Sequence, residues 1–446
     1  MTGESQPEKT TPTTPQSAPT APDTAPATPD DSPREFDVVV FGATGFVGEL
    51  TARYLAEHAP AGTRIALAGR SETKLADTRR RLPAAARDWP LVVADTSSPA
   101  SLDAMVARTR VVCTTVGPYL RYGEALVVAA ATAGTDYVDL TGEVPFVHYS
   151  IQKAHEVAEA TGARIVHSCG FDSVPSDLAT YELYRGVTDA DAGEMTDTTM
   201  VVTAMRGGVS GGTIDSMRVI AEQAKDSSVR RLLLNPQALS GSPTETPRAA
   251  LSSEPSDIGI INARKVDPSL RGTLAPFFMA SHNTRIVRRS NALLDGAYGS
   301  DFHYAETMAV GGVPGLSTVL AGGVSVGSGL FLGAMSFAPT RAVLDRVLPK
   351  PGSGPSEKSR ENGYFVVHTY TRTSTGRRFR STFSMKGDPG YKATAVMLGE
   401  SALTLAVNRS QLPTRAGVLT PAVAMGDALI DRLRTAGATI EVTELH

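Results

Sequence analysis

Asp37-Val38-Val39-Val40-Phe41-Gly42-Ala43-Thr44-Gly45-Phe46-Val47-Gly48 joins a short apolar run to three glycines at regular spacing. The run reads as a buried strand. The residues after it, 49–57, carry Leu50, Tyr54 and Leu55 at helical spacing. A strand, a glycine turn and a helix start form the context in which such a pattern binds a dinucleotide. Gly42 permits the tight turn, Gly45 lets the backbone approach a pyrophosphate, and Gly48 brings the helix close to the sheet. The phosphates then meet the free amides and positive dipole end of the helix, with Thr44, Phe46 and Val47 completing the cradle.

Outward from this turn, apolar strand-like runs at 64–68, 91–95, 111–116, 137–140 and 164–168 alternate with helical segments. Ser98 and Pro99 open one of those helices as N-cap and first helical residue. Strands separated by helices of this length predict a doubly wound parallel sheet, a Rossmann-type α/β domain over residues 34–175. Beyond it the rhythm changes. A strand at 199–205 leads into Arg206-Gly207-Gly208-Val209-Ser210-Gly211-Gly212 and a helix that Thr213 can cap. Residues 226–270 are loop-rich. Residues 364–370 and 377–386 alternate polar and apolar side chains, as an antiparallel pair with one wet face does. These features predict an α+β substrate domain over 176–390. Residues 391–446 supply C-terminal helices and a strand returning to the first domain, with Pro421 starting the last helix and Gly437 stopping it.

At 446 residues the chain can hold two cores, and its net charge of -3 without a basic block argues against nucleic acid. Cys113 and Cys169 lie in apolar, strand-like segments and read as reduced thiols of a cytoplasmic protein. Two separated cysteines and eight scattered histidines predict no metal site. Residues 1–33, with eight prolines and hardly an aliphatic side chain, are expected to be a disordered tail and lack the pattern of a signal peptide. Residues 308–340 contain no charge but many glycines. They read either as a buried helical hairpin or as a segment in contact with lipid, peripheral to a membrane.

An NAD-selective site places an acid about 20 residues after the glycine motif. Here that place holds Gly69-Arg70-Ser71, and Arg70 can clamp a 2′-phosphate, so the expected cofactor is NADPH. Asp95 is placed to meet the adenine edge. Gly117 and Pro118 shape a loop toward the nicotinamide ribose, and Tyr119 and Tyr122 bring hydroxyls near the hydride-transfer region. Tyr149 and Lys153 match the Tyr-x-x-x-Lys pair of short-chain dehydrogenases, but they follow the fifth strand without a catalytic serine upstream, and the match reads as coincidence.

Gly42 to Gly48, Ala68-Gly69-Arg70, Val116-Gly117-Pro118-Tyr119, Tyr137-Val138-Asp139-Leu140-Thr141-Gly142-Glu143 and Cys169-Gly170-Phe171-Asp172-Ser173-Val174-Pro175-Ser176-Asp177 together resemble the saccharopine dehydrogenase-like oxidoreductases. Ser210-Gly211-Gly212-Thr213, Arg288-Arg289-Ser290 and Pro351-Gly352-Ser353-Gly354-Pro355-Ser356-Glu357 resemble the branch that contains the mycobacterial trans-acting enoyl reductases. The resemblance implies NADPH-dependent reduction of a carbon–carbon double bond in a polyketide or fatty acyl thioester, delivered on a carrier protein. It identifies no proton donor. Tyr119, Tyr122 and Asp172 are the candidates, and Asp172 reads equally as a helix N-cap or loop-fixing carboxylate. Two other readings stay open: a dehydrogenase of an amino acid or other small polar metabolite, using the Arg288–Arg289 pair, and a non-catalytic lipid-associated protein that keeps the nucleotide fold as scaffold.

Overall fold

The first strand, β1 (Phe36–Phe41), has all its side chains but Asp37 buried and runs straight into the glycine turn. A computed structural model describes residues 34–208, 210–241, 254–310, 320–321 and 354–446. Around β1 stand β2 (Ile65–Gly69), β3 (Leu91–Val93), β4 (Thr109–Thr114), β5 (Asp136–Val138) and β6 (Arg164–Val166). They form one parallel sheet in the order β13-β6-β5-β4-β1-β2-β3, in which β13 (Gly417–Leu419) arrives from near the C-terminus. The near-continuous Val, Ile and Ala content of these strands suits a sheet covered on both faces. Chain order reverses between β1 and β4, so the crevice above their C-terminal ends is the ligand-binding position of an open α/β sheet.

The second sheet holds β7 (Met195–Arg206), β8 (Ile261–Asn262), β9 (Thr273–Pro276), β10 (His303–Ala309), β11 (Tyr364–Thr373), β12 (Arg378–Lys386) and β14 (Thr439–Leu445), in the order β14-β12-β11-β7-β10-β9-β8. Only β7 and β10 run parallel; the other pairs are antiparallel. The predicted 364–370 and 377–386 pair is present as β11 and β12, in a register that sets Tyr370 against Arg380, and β12 alternates buried and half-buried side chains along its length. The C-terminal segment therefore serves both sheets, β13 the parallel one and β14 the mixed one.

The helix Lys392–Val407 is buried from Ala393 to Ala406 and packs on the helix Phe46–His58 and on β1, β4 and β5. Its Met397, Leu398, Leu403 and Leu405 are inaccessible, each worth roughly 1.5–3 kcal/mol of burial. One charged group lies inside this layer. Glu400 accepts a bond from the Tyr54 hydroxyl and pairs with Arg432 at 2.5 Å. Several local details differ from the sequence reading. The fourth and fifth strands end at Thr114 and Val138, earlier than the apolar runs. Ser98 holds the N-cap position before Pro99 without a side-chain bond to the helix, and the helix after Gly208 is capped by Ser210, whose hydroxyl accepts from the Thr213 amide at 3.0 Å. The 226–270 region contains a helix at Ser227–Leu234 and the short edge strand β8. The predicted tail, residues 1–33, lies outside the described residues, as does nearly all of 308–340. Among the described residues no helix is long and apolar enough to cross a membrane.

Candidate active site

Between the two sheets lies a cavity of about 250 Å³. Its first wall is built by the C-terminal ends of the parallel strands. Gly45, Phe46 and Val47 follow β1, Thr115, Gly117, Pro118 and Tyr119 follow β4, Leu140 follows β5, and Phe171 and Asp172 follow β6. The opposite wall comes from the mixed-sheet domain, with Met205, Gly207, Gly208, the helix start from Ser210 to Thr213 with Asp215 and Ser216, the pair Phe278 and Met279, and Pro389, Gly390, Tyr391 and Thr394.

The glycine turn has the shape that the sequence predicts. Gly42 sits at φ +90°, and a Cβ on Gly48 would stand 2.2 Å from the Gly42 carbonyl oxygen. Gly45 is exposed, and a Cβ there would meet only that same oxygen, at 3.3 Å. It would project into open cradle at the start of the helix Phe46–His58, where first-turn amides have no intrahelical partner. This is the fit a pyrophosphate requires. Thr44 is exposed beside it. Arg70, exposed, and Asp95 follow β2 and β3, on the opposite side of Gly45 from Asp172, so the span from Arg70 to Gly117 crosses the sheet switch point. Asp95 does not reach outward: its carboxylate folds back to accept from the Ser97 amide and hydroxyl, each at 2.8 Å. Those bonds, with a smaller contribution from the Arg70 cation, hold its pKa below the usual value.

The three candidate proton donors separate clearly. Tyr122 is 44% exposed and does not line the cavity. Tyr119 lines it with its ring, but its hydroxyl is engaged in the sheet, donating to the Thr114 carbonyl at 3.2 Å and accepting from the Leu140 amide at 3.1 Å. Burial first, then the nearby Asp139 carboxylate, pushes its pKa well up. Tyr119 is thus a tie between β4 and the loop after β5. Asp172 does line the cavity. It is not the helix cap, because Ser173 occupies that position before Val174–Asp189. Burial pushes its carboxyl up to about 7, opposed by a bond from its own amide and helped by repulsion from Asp139.

Beneath Asp172 is a sealed network. Asp139 accepts from the Tyr137 hydroxyl at 2.9 Å and from the Thr141 and Ser168 amides, and it contacts His167 Nδ1 at 2.8 Å. His167 Nε2 in turn meets the Ser150 hydroxyl at 2.8 Å. The residue types are those of a nucleophilic triad, but none of the three is more than 1% exposed, so the network braces the loops after β5 and β6.

No Lys, Arg or His lines the cavity among the described residues. Arg288 and Arg289 are buried elsewhere. Arg288 pairs with Glu254 at 2.8 Å and donates to the Tyr304 carbonyl, while Arg289 donates to the carbonyls of Leu239 and Val418. They hold backbone together and cannot grip a substrate carboxylate in this cavity. Tyr149 and Lys153 lie on the outer helix Val144–Thr161, away from the cavity. Cys113 and Cys169 are buried free thiols. Among the described residues no group of three or more His, Cys, Asp or Glu side chains could hold a metal ion. Tyr391 goes unmarked in the sequence reading. Its ring packs edge-on against Phe46 at 5.2 Å, and its hydroxyl accepts from the Gly211 amide at 3.3 Å.

Residues 38–166 match the saccharopine dehydrogenase NADP binding domain. A Mycobacterium tuberculosis relative bearing the provisional name of trans-acting enoyl reductase is 52% identical over 421 residues, covering 92% of this chain and 98% of its own. The trans-acting enoyl reductase of Mycobacterium ulcerans is 46% identical over 419 residues, covering 93% and 99%. The chain belongs to this family. It is an oxidoreductase of the saccharopine dehydrogenase-like class and its cofactor is NADP(H). The family fold extends to apo saccharopine dehydrogenase from Saccharomyces cerevisiae, at 12% identity, a TM-score of 0.50 and coverage of 92% of this chain and 99% of that one.

Proposed function

We propose that the protein uses NADPH to reduce a carbon–carbon double bond in a fatty or polyketide acyl thioester, presented free or on a carrier protein, with Asp172 as proton donor. The observation that carries this reading is Asp172 itself, a carboxyl pushed up to about 7 in a largely apolar cavity that no Lys, Arg or His among the described residues lines. Phe46, Val47, Leu140, Phe171, Met205, Phe278 and Met279 offer an acyl chain an apolar surface. A small zwitterionic substrate needs a buried cation to face its carboxylate, and Arg288 and Arg289 are otherwise engaged.

NADPH supplies the hydride when bound at the glycine turn. Arg70, exposed at the β2 end, would pair with its 2′-phosphate. In its protonated form, which persists up to about pH 7, Asp172 can pass a proton to the α-carbon of the reduced acyl chain. The thioester oxygen, which gains charge, can take a bond from the Gly212 amide. Within that first turn Gly211 donates to Tyr391, Thr213 to the Ser210 hydroxyl and Ile214 to the Ser210 carbonyl, whereas Gly212 has no protein partner among the described residues.

The test is Asp172→Asn, assayed by NADPH oxidation with enoyl thioesters of increasing length. Loss of a general acid should lower kcat by about 10²–10⁴-fold. Wild-type kcat should fall as pH rises past about 7, where the acid form is lost. Stability should fall over the same pH range. Because the folded pKa lies above the unfolded value, the carboxyl favours folding at low pH and that contribution is lost as pH rises through 7. Asp172→Asn should therefore melt higher than wild type at pH 8. Full turnover in this variant would remove Asp172 from the mechanism.

A further inference from the structure

Glu143 is a fully buried carboxylate that joins the two walls of the cavity. It accepts from the Tyr119 amide at 3.0 Å and the Leu120 amide at 2.8 Å, the first turn of the short helix that follows Gly117 and Pro118. Those two bonds are a helix cap from outside the helix. The third is different. The Ser216 hydroxyl donates to the same carboxylate at 2.5 Å, and Ser216 stands on the helix Gly211–Gln223, whose first turn is the substrate-side wall.

Elsewhere in this chain helical hydroxyls donate to a carbonyl one turn back, as Thr51 does to Val47, Thr180 to Ser176, Ser401 to Met397 and Thr404 to Glu400. Ser216 had that option within its own helix and instead crosses to the other domain. A second link runs between the same two helices, Arg121 to Glu222 at 3.0 Å, but both side chains are more than a third exposed and such pairs are worth about 0–1 kcal/mol. The buried bond is the one able to set register. We propose that Glu143 and Ser216 form a clasp that holds the substrate-side helix in line with the cofactor-side loop, so that Glu143 is a positioning residue for hydride transfer. The proposal rests on the reductase reading above. The acceptor carbon lies between the two walls, where a misplacement of about 1 Å can cost about 10²-fold in rate.

Ser216→Ala isolates the clasp, because the Tyr119 and Leu120 amides keep their acceptor. Expected are a kcat lowered by about 10–100-fold with enoyl thioester, an NADPH Kd unchanged within experimental error, a Tm lowered by a few degrees at most, and recovery of rate in Ser216→Thr. Glu143→Gln should lower kcat at least as far, since an amide offers one acceptor oxygen to three donors; if that variant does not fold, Ser216→Ala decides. Amide hydrogen exchange supplies a readout independent of turnover. NADPH binding should slow exchange over Gly211 to Asp215 in wild type and fail to do so in Ser216→Ala. If wild type reduces no enoyl thioester, the reductase reading fails and the exchange measurement still judges the clasp. Wild-type kcat in Ser216→Ala, or protection that persists in it, would overturn the proposal.

Discussion

The turn after β1 and the turn after β7 are both strand–glycine–helix units, and they form opposite walls of one cavity, yet their glycines answer different constraints. In the first, the packing itself demands glycine. A Cβ on Gly42 would stand 2.8 Å from Val116 and 2.9 Å from Thr115, and one on Gly48 would strike the Gly42 carbonyl. In the second, Gly207 is constrained, at φ +153° with Asp388 Oδ2 2.5 Å from its would-be Cβ. Gly208 has nothing within 4 Å, and Gly212 meets only the Ser210 hydroxyl, at 3.6 Å. The first turn is a closed piece of architecture with one open point, Gly45. The second is open at Gly208 and Gly212, as a wall meant for a variable guest would be.

The largest expected effect breaks the first turn. Gly48→Val places a branched side chain where even one carbon collides with backbone, so the helix Phe46–His58 must shift. Overpacking of this kind costs about 1–3 kcal/mol, and NADPH affinity should vanish together with several degrees of Tm. Gly45→Val separates the two functions of the turn: Tm should hold while binding, followed by quenching of protein fluorescence, is lost, because the side chain fills only the pyrophosphate's place. Retained affinity in Gly45→Val would show that the phosphates sit elsewhere.

A smaller effect belongs to Arg70, just outside the turn. Arg70→Ala should reduce the preference for NADPH over NADH by about 1.5–3 kcal/mol, the range of a hydrogen bond to a charged group, with no change in the KM for thioester. Equal affinity of the wild type for both cofactors would remove Arg70 from the site.

The contrast between the turns also explains what can be read from the chain. The strand-to-helix passage from Val38 to Gly48 is a local pattern, and the constraints on its glycines lie within a few residues or on the adjacent β4 end. The sequence marks Arg206 to Gly212 as a second glycine turn after a strand, but not as a wall of the site. Its partners, Asp388 and Tyr391, come from a segment far along the chain and meet it through the pairing of β7 with β11 and the burial of the helix Lys392–Val407. The same limit affects single residues. Tyr119 and Asp172 both fall at strand ends, where functional side chains gather, and only the direction of the Tyr119 hydroxyl, toward Thr114 and Leu140, sets them apart. Glu143 stands in a string that the family resemblance picks out, but its link to Ser216 spans 73 positions and leaves no local trace.

The smallest effect tests the second turn at its most permissive point. A methyl group on Gly208 meets no atom within 4 Å and the residue does not have a positive φ, so Gly208→Ala should leave both Tm and NADPH affinity at wild-type values. Its amide, which donates to Asp388 at 3.1 Å, is retained. What changes is the surface offered to the guest, since Gly208 lines the cavity. An added methyl takes room from the acyl chain, so KM should rise for thioesters branched near the double bond and stay level for the straight-chain series. One methylene in an apolar pocket discriminates by about 1–3 kcal/mol at most, which puts an upper bound on the shift. A fall in NADPH affinity without a change in KM would show that the second turn also faces the cofactor, and would end the division of labour between the two turns.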